Sequence, residues 1–155
     1  MTIEQGGSFM DINASILNTV SQDSAPCVLI ADDDISVLYA LEWVLKDISC
    51  NIVSAMNVED AIRMAMKEHP DLAILDMRMP KNIKSAGLFS PYAGADICKE
   101  LRNHSLTKDI PVIILTVISE SEGMPESLNA GADEYMTKPF NPEALLKTVK
   151  RFIKS

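Results

Sequence analysis

Three cysteines, two histidines and a shortage of positive charge exclude several classes of protein before any motif is considered. Cys27, Cys50 and Cys98 are odd in number, far apart and never in a C-x-x-C pair, which supports neither a disulfide framework nor a zinc site. With only His69 and His104, a histidine-rich metal centre has no ligands to draw on, and both residues read as loop or helix-end positions. Lysine and arginine total 14 against 22 aspartates and glutamates, for a net charge of −8, so direct binding to a nucleic-acid backbone is not expected. No stretch is long and apolar enough to cross a bilayer, and the opening MTIEQGGSFM lacks the basic start and apolar run of a signal peptide. A cytoplasmic protein without a membrane partner is therefore expected. There is no internal repeat and no low-complexity tract. What remains is 155 residues, 47% hydrophobic and 23% charged, which suits one domain with a proper core.

Apolar runs of strand length alternate along the chain with segments of helical period. CVLIA is followed by Leu38, Leu41, Leu45 and Ile48 at spacings of three and four, a strand and then an amphipathic helix. NIVSA leads to Asn57, a helix N-cap, with Ala61, Ile62, Ala65 and Met66 on one face after it. DLAIL comes next, then a long irregular stretch and a helix around Asp96 to Asn103. PVIILT and the shorter DEYMT are separated by a segment ending in NAGA, where Gly131 is placed to stop a helix. Asn141 and Pro142 make a cap and first-turn pair for a last helix carrying Leu145, Val149 and Phe152. Five strands alternating with five helices imply an α/β fold, a parallel sheet covered on both faces.

In such open sheets, sites form beyond the carboxyl ends of the strands, where strand order reverses. Asp32, Asp33 and Asp34 follow the first strand, Asp76 the third, Thr116 the fourth and Lys138 the fifth. Any one of these alone is an ordinary turn residue. Together they bring acids, a hydroxyl and an ammonium to one rim. Three carboxylates a few ångströms apart repel, and burial without a partner is costly, so such a cluster either fans into solvent or surrounds a cation.

The segments LIADDD, AILDMRMP, IILT, AGADEYMTKPF and NPEALLKTVKRFIK, in this order, resemble the receiver domains of two-component response regulators. The resemblance runs from about Cys27 to the C-terminus. It implies a doubly wound, flavodoxin-like three-layer sandwich with strand order 2-1-3-4-5. It also implies that Asp76 is the phosphoacceptor, that Asp32 and Asp33 are the acidic pair for Mg²⁺, and that Thr116 and Lys138 contact the phosphoryl group. Tyr135 would be the aromatic switch, acting with Thr116, and the Lys138–Pro139 bond would be cis. Asp34 falls just outside the motif and reads as a solvated turn residue. The expected function is that of a phosphoprotein in a phosphorelay, a phosphoacceptor switch and not an enzyme acting on an external substrate. It would take its phosphoryl group from a histidine kinase or a histidine phosphotransfer protein and signal to an output protein through the fourth helix, fifth strand and fifth helix. A homodimer is among the expected assemblies.

The chemistry supports the same assignment. An aspartate is a poor nucleophile toward a phosphoryl anion unless a cation neutralises the developing charge. Mg²⁺ prefers oxygen ligands in octahedral geometry and keeps some of its waters, which fits Asp33, Asp76, a backbone carbonyl at Arg78, and Asp32 through water. Lys138 supplies a point charge and Thr116 a hydroxyl donor.

Three departures from the family carry expectations. Val117, after the threonine, is larger than usual and would crowd the phosphoryl pocket. KNIKSAGLFSPYA, between Pro80 and Gly94, makes the loop at 81–93 about ten residues longer than is general, and its Ile83, Leu88, Phe89 and Tyr92 should pack over the site rim or meet a partner. Pro125 should make the fourth helix start late, after a long connection, because proline is welcome only in a first turn. Residues 1–25 are expected to form an extension before the receiver domain at 26–155, either mobile or a short helix with Ile12, Ile16, Leu17 and Val20 on one face. The chain is expected to be a single-domain regulator or the receiver part of a longer protein.

Two other classes fit less well. A phosphatase of the haloacid dehalogenase type needs a second acid two residues after its nucleophile, where this chain has Arg78. A nucleotide- or flavin-binding module wants a glycine- or hydroxyl-rich loop after the first strand, where this chain has aspartates. The alternative that keeps the fold is a degenerate receiver that binds partners without phosphorylation.

Overall fold

The computed structural model describes residues 24–85 and 88–153, so most of the N-terminal extension lies outside the described residues. The elements in order are β1 (Cys27–Ala31), α1 (Ile35–Leu45), β2 (Asn51–Ala55), α2 (Val58–Glu68), β3 (Leu72–Leu75), β4 (Met79–Pro80), β5 (Phe89–Ser90), α3 (Ala93–Arg102), β6 (Val112–Thr116), α4 (Glu120–Asn129), β7 (Glu134–Thr137) and α5 (Pro142–Phe152). Five of the strands form one parallel sheet in the order β2-β1-β3-β6-β7, which is the expected 2-1-3-4-5 once the strands of this sheet are numbered alone. The fold is the doubly wound α/β sandwich.

The burial of each strand follows its place in the sheet. β3 and β6 are buried at every residue and β1 at all but its first, whereas the edge strands β2 and β7 are mostly half-exposed. Continuous apolar runs mark strands covered on both faces. Alternate residues serve the two layers. Leu29, Ala31 and Ile114 join Ala61, Ala65, Ile97 and Leu101 in one core, while Val28, Ile30 and Ile113 join Leu38, Leu41, Leu45, Leu145 and Val149 in the other. The helix starts at Asn57 and Asn141 are as expected, each side chain accepting from the backbone N–H three residues on. Asp34 departs from its reading as a turn residue. It caps α1 by accepting from the Ser36 N–H at 2.9 Å.

The expected late start of the fourth helix is wrong. α4 begins at Glu120, with only three residues between it and the end of β6, and Pro125 sits inside it. The missing N–H costs only the bond to the Ser121 carbonyl, and Ser121 lies in an exposed first turn where water can serve that oxygen instead. The Ser119 carbonyl still accepts from Glu122 and Gly123, so the first turn closes before the proline is reached. The long stretch after β3 also holds more order than expected. Met79–Pro80 and Phe89–Ser90 pair as a small antiparallel ladder, and the Lys81 carbonyl accepts from Glu59 N–H at 3.0 Å, tying the loop to α2.

Arg102, at the end of α3, is a fastening that the sequence does not announce. Its guanidinium donates to the carbonyls of Lys108 (3.0 Å), Ile110 (2.7 Å) and Gly131 (2.8 Å), and to Asp133 (3.1 Å). It thereby holds the chain on both sides of β6. Arg102→Ala leaves three carbonyls without this donor and is expected to cost about 2–4 kcal/mol in urea unfolding. Arg102→Lys should recover only part, since an ammonium cannot reach all four acceptors. A loss under about 1 kcal/mol would mean that water replaces the guanidinium freely.

Candidate functional site

The carboxyl ends of β1, β3, β6 and β7 deliver the expected residues to one pocket. The strand hydrogen bonding runs on past β1 and β3, with Asp32 N–H donating to Ala55 and Asp76 N–H to Ala31, so both aspartates are fixed by backbone before their side chains are considered. Asp32 and Asp76 are buried, at 2% and 7% exposure, and Asp33 is half-buried. One carboxylate oxygen from each lies within 4.8 Å of the other two. Gly94, on the first turn of α3, permits this packing, because a Cβ there would stand 2.7 Å from the Asp76 carbonyl oxygen.

Lys138 crosses from the end of β7 to meet the acids. Its ammonium donates to Asp32 at 2.5 Å and to Asp76 Oδ2 at 3.4 Å. The Lys138–Pro139 bond is cis, as the resemblance implies. Burial raises the carboxyl pKa of Asp32, opposed by the hydrogen bonds from Lys138 and the Asp34 N–H and reinforced by the charge of Asp76. Burial also raises Asp33, and the charge of Asp76 adds to it. Burial disfavours the Lys138 ammonium, but its contacts with Asp32 and Asp76 outweigh that and its pKa rises. Asp76 Oδ1 is buried and has no hydrogen-bond partner. One oxygen of the best-placed carboxylate is therefore sequestered from water and free to bond. Three gathered acids and one orphaned oxygen suit a hard, oxygen-seeking divalent cation.

Thr116 is fully buried at the end of β6, its hydroxyl accepting weakly from Ile118 N–H at 3.4 Å. Tyr135 is 6% exposed, and its hydroxyl donates to the Ile118 carbonyl at 2.7 Å. Gly123, a residue the sequence does not single out, makes room for this placement: a Cβ there would overlap the Tyr135 hydroxyl. Nothing in the sequence alone marks it, since its role depends on which face of α4 meets β7. Arg78 is exposed, two residues past Asp76. Val117, directly after Thr116, is 66% exposed. The apolar loop residues border the rim and stay largely uncovered: Ile83, 86% exposed, lines a depression with Asp33, Phe89 and Tyr92, about half exposed, line another with Arg78 and Ile118, and Leu88 is 74% exposed.

Residues 28–150 match the family described as the response regulator receiver domain. The chain belongs to that family. Among curated relatives of this receiver, the probable transcriptional regulator ycf27 of Porphyridium aerugineum is 34% identical over 127 residues, 82% of this chain and 48% of that protein. The receiver thus spans about half the length of the curated relatives it matches. Among solved structures, a putative response regulator from Chloroflexus aurantiacus is similar at TM-score 0.72 and 32% identity, covering 83% of this chain and 98% of that one. The chemotaxis protein CheY4 of Vibrio cholerae is similar at TM-score 0.71 and 30% identity, covering 84% of this receiver and all of that chain. Among the described residues, no helix of the receiver is long and apolar enough to cross a membrane.

Proposed function

We propose that this receiver is a cytoplasmic phosphoacceptor switch in which Asp76 takes a phosphoryl group from a phosphohistidine of a kinase or phosphotransfer protein. The observation that carries the proposal is the Asp76 side chain itself: one oxygen is held by Lys138, and the other is buried without a partner. Oδ2, released as Lys138 turns to the phosphoryl group, attacks phosphorus, the phosphorus–nitrogen bond breaks and its electron pair stays on the donor imidazole, while Oδ1 would be left to the cation. Lys138 can shift its donation from Asp32 and Asp76 to the phosphoryl oxygens, and the Thr116 hydroxyl can donate to another. Asp33, Asp76 and Asp32 would hold Mg²⁺, with the Arg78 backbone carbonyl as a further oxygen, and the ion would neutralise charge between acceptor and phosphoryl group.

Incubation with Mg²⁺ and acetyl phosphate, read by intact mass, tests this directly. The wild type should gain one phosphate, and both Asp76→Asn and chelation of the metal should abolish the gain. No gain in the wild type, or equal labelling of Asp76→Asn, would refute the role of Asp76 and favour the phosphorylation-independent binding module. The metal has its own test, which needs no phosphoryl donor. Millimolar Mg²⁺ is expected to raise the unfolding temperature by about 3 °C. Asp33→Asn should remove that response while raising the stability of the metal-free protein, because it relieves repulsion among the acids. A Mg²⁺ response that survives Asp33→Asn would place the ion elsewhere.

A further inference from the structure

The insertion after Pro80 borders Asp76 on two sides. Ile83 and Ser85 line a depression with Asp33, beyond β1, while Phe89 and Tyr92 line another with Ile118, beyond β6. The segment has a fixed course. Met79–Pro80 and Phe89–Ser90 are paired, and Met79 is fully buried at the foot of the ladder. The Asn82 side chain accepts from Lys84 N–H at 3.0 Å and from Ser85 Oγ at 2.9 Å, and Ser90 Oγ donates to Asp96 at 3.0 Å. Braced in this way, the insert still turns Ile83 and Leu88 into solvent. Apolar side chains on a held projection beside a reactive group suit contact with a partner.

The reaction at Asp76 says which partner has to come here. Phosphoryl transfer needs the donor nitrogen, the phosphorus and the acceptor oxygen in line, with reacting atoms about 3 Å apart. An imidazole is short, and a helix with its side chains is about 10–12 Å across, so the body that carries a phosphohistidine must come down onto the rim. There it meets the insert. A small donor such as acetyl phosphate has no body to meet it. Charge agrees with this occupant. Lys81 and Lys84 are the only charged side chains between Pro80 and Gly94, both exposed, and they lend positive charge to an acidic rim where a phosphoryl anion arrives.

We infer that the β4–β5 insert selects the phosphodonor: it excludes protein donors that are flat around the phosphohistidine and admits one with an apolar recess for Ile83 and Leu88. The inference rests on Asp76 being the phosphoacceptor. Selectivity of this kind needs a repulsive element as well as an attractive one, and removing the repulsive one broadens the set of partners. Deleting residues 82–91 joins Lys81 to Tyr92 and removes the projection. Wild type and deletion variant are each given acetyl phosphate, and separately a panel of radiolabelled histidine kinases and phosphotransfer proteins from unrelated two-component systems. With acetyl phosphate the two should label within about twofold of each other, and with the panel the deletion variant should label about tenfold faster. Panel rates that are equal, or faster in the wild type, overturn the inference and leave the insert to another partner. A wild type that acetyl phosphate does not label refutes Asp76 as acceptor, and the inference falls with it. If the deletion variant alone loses labelling by acetyl phosphate, Ile83→Ala with Leu88→Ala decides, since it trims the projection and keeps the loop. A gain of about threefold with the panel is then expected, and no gain overturns the inference.

Discussion

Lys138→Ala is expected to slow phosphate incorporation at Asp76 by about a hundredfold or more, the usual effect of removing one charged donor from the developing charge of a transferring group. The same substitution should destabilise the metal-free protein at neutral pH. The ammonium is paired with Asp32 and Asp76, and both partners and the lysine side chain are largely buried. Removing one member of such a pair leaves carboxylates uncompensated and costs about 3 kcal/mol. The sign of the pH dependence follows from the shifts. Asp32 and Asp33 have raised pKa values, so their contribution to stability is fully present below the ordinary aspartate range and is lost as pH rises through their folded values. Lys138 is also raised, so its contribution is present below the ordinary lysine value and is lost only in the alkaline range. The gap between wild type and Lys138→Ala should therefore be widest near neutrality and narrow on mild acidification. Circular dichroism confirms that the variant is folded under the labelling conditions, which separates the two effects. Labelling within about threefold of wild type would remove Lys138 from the phosphoryl site.

The architecture was legible because its signals are local and repeated. β3 and β6 are uninterrupted apolar runs, Asn57 and Asn141 stand where caps are needed, and the strand-end acids follow each run directly. Two local rules misled. Proline breaks helices as a rule, yet the carbonyl that Pro125 leaves without a donor lies in an exposed first turn, where a lost hydrogen bond is cheap. Asp34 has the neighbours of a turn residue, while its position one residue before α1 makes it a cap.

The site was legible for a different reason. Parallel strands all point one way, so residues directly after them must share a rim whatever the loops do. The parts that were not legible depend on contacts between elements distant in sequence. Arg102 reaches carbonyls on both sides of β6, and the value of that arrangement exists only once α3 lies beside those turns. Ser127 donates to the Gly123 carbonyl and approaches Met77 Sδ at 3.6 Å, so α4 sits close against the end of β3. The length of the loop after Pro80 is plain in the sequence, but its β4–β5 ladder and the outward exposure of Ile83 and Leu88 are not. Short polar stretches with scattered apolar residues carry no period from which pairing could be read.

Gly123→Ala is expected to expel Tyr135 from its slot and uncouple α4 from the site. The Tyr135 hydroxyl bonds the Ile118 carbonyl at 2.7 Å and reaches the Ser119 carbonyl at 3.3 Å, so the ring ties β7 to the short connection between Thr116 and α4. A methyl group at Gly123 would overlap the hydroxyl, lie 2.9 Å from the ring Cζ and 3.1 Å from Ile118 Cγ2, and it projects from a helix that cannot shift alone. The ring is the softer part, since rotation about its Cα–Cβ bond clears the overlap at the expense of burial and two hydrogen bonds, about 2–3 kcal/mol in all. Burial raises the phenol pKa of Tyr135, so in the variant that group should titrate closer to its ordinary value, as followed by the ¹³C shift of labelled Tyr135 Cζ. The functional consequence is read with beryllofluoride, a mimic of the phosphoryl group. In the wild type it should move amide signals from Thr116 through Ala130 as well as those beside Asp76, because Thr116, Ile118 and Tyr135 form one connected contact. In Gly123→Ala the signals beside Asp76 should still move and those of α4 should not. If α4 responds equally in both proteins, the signal does not pass through Tyr135.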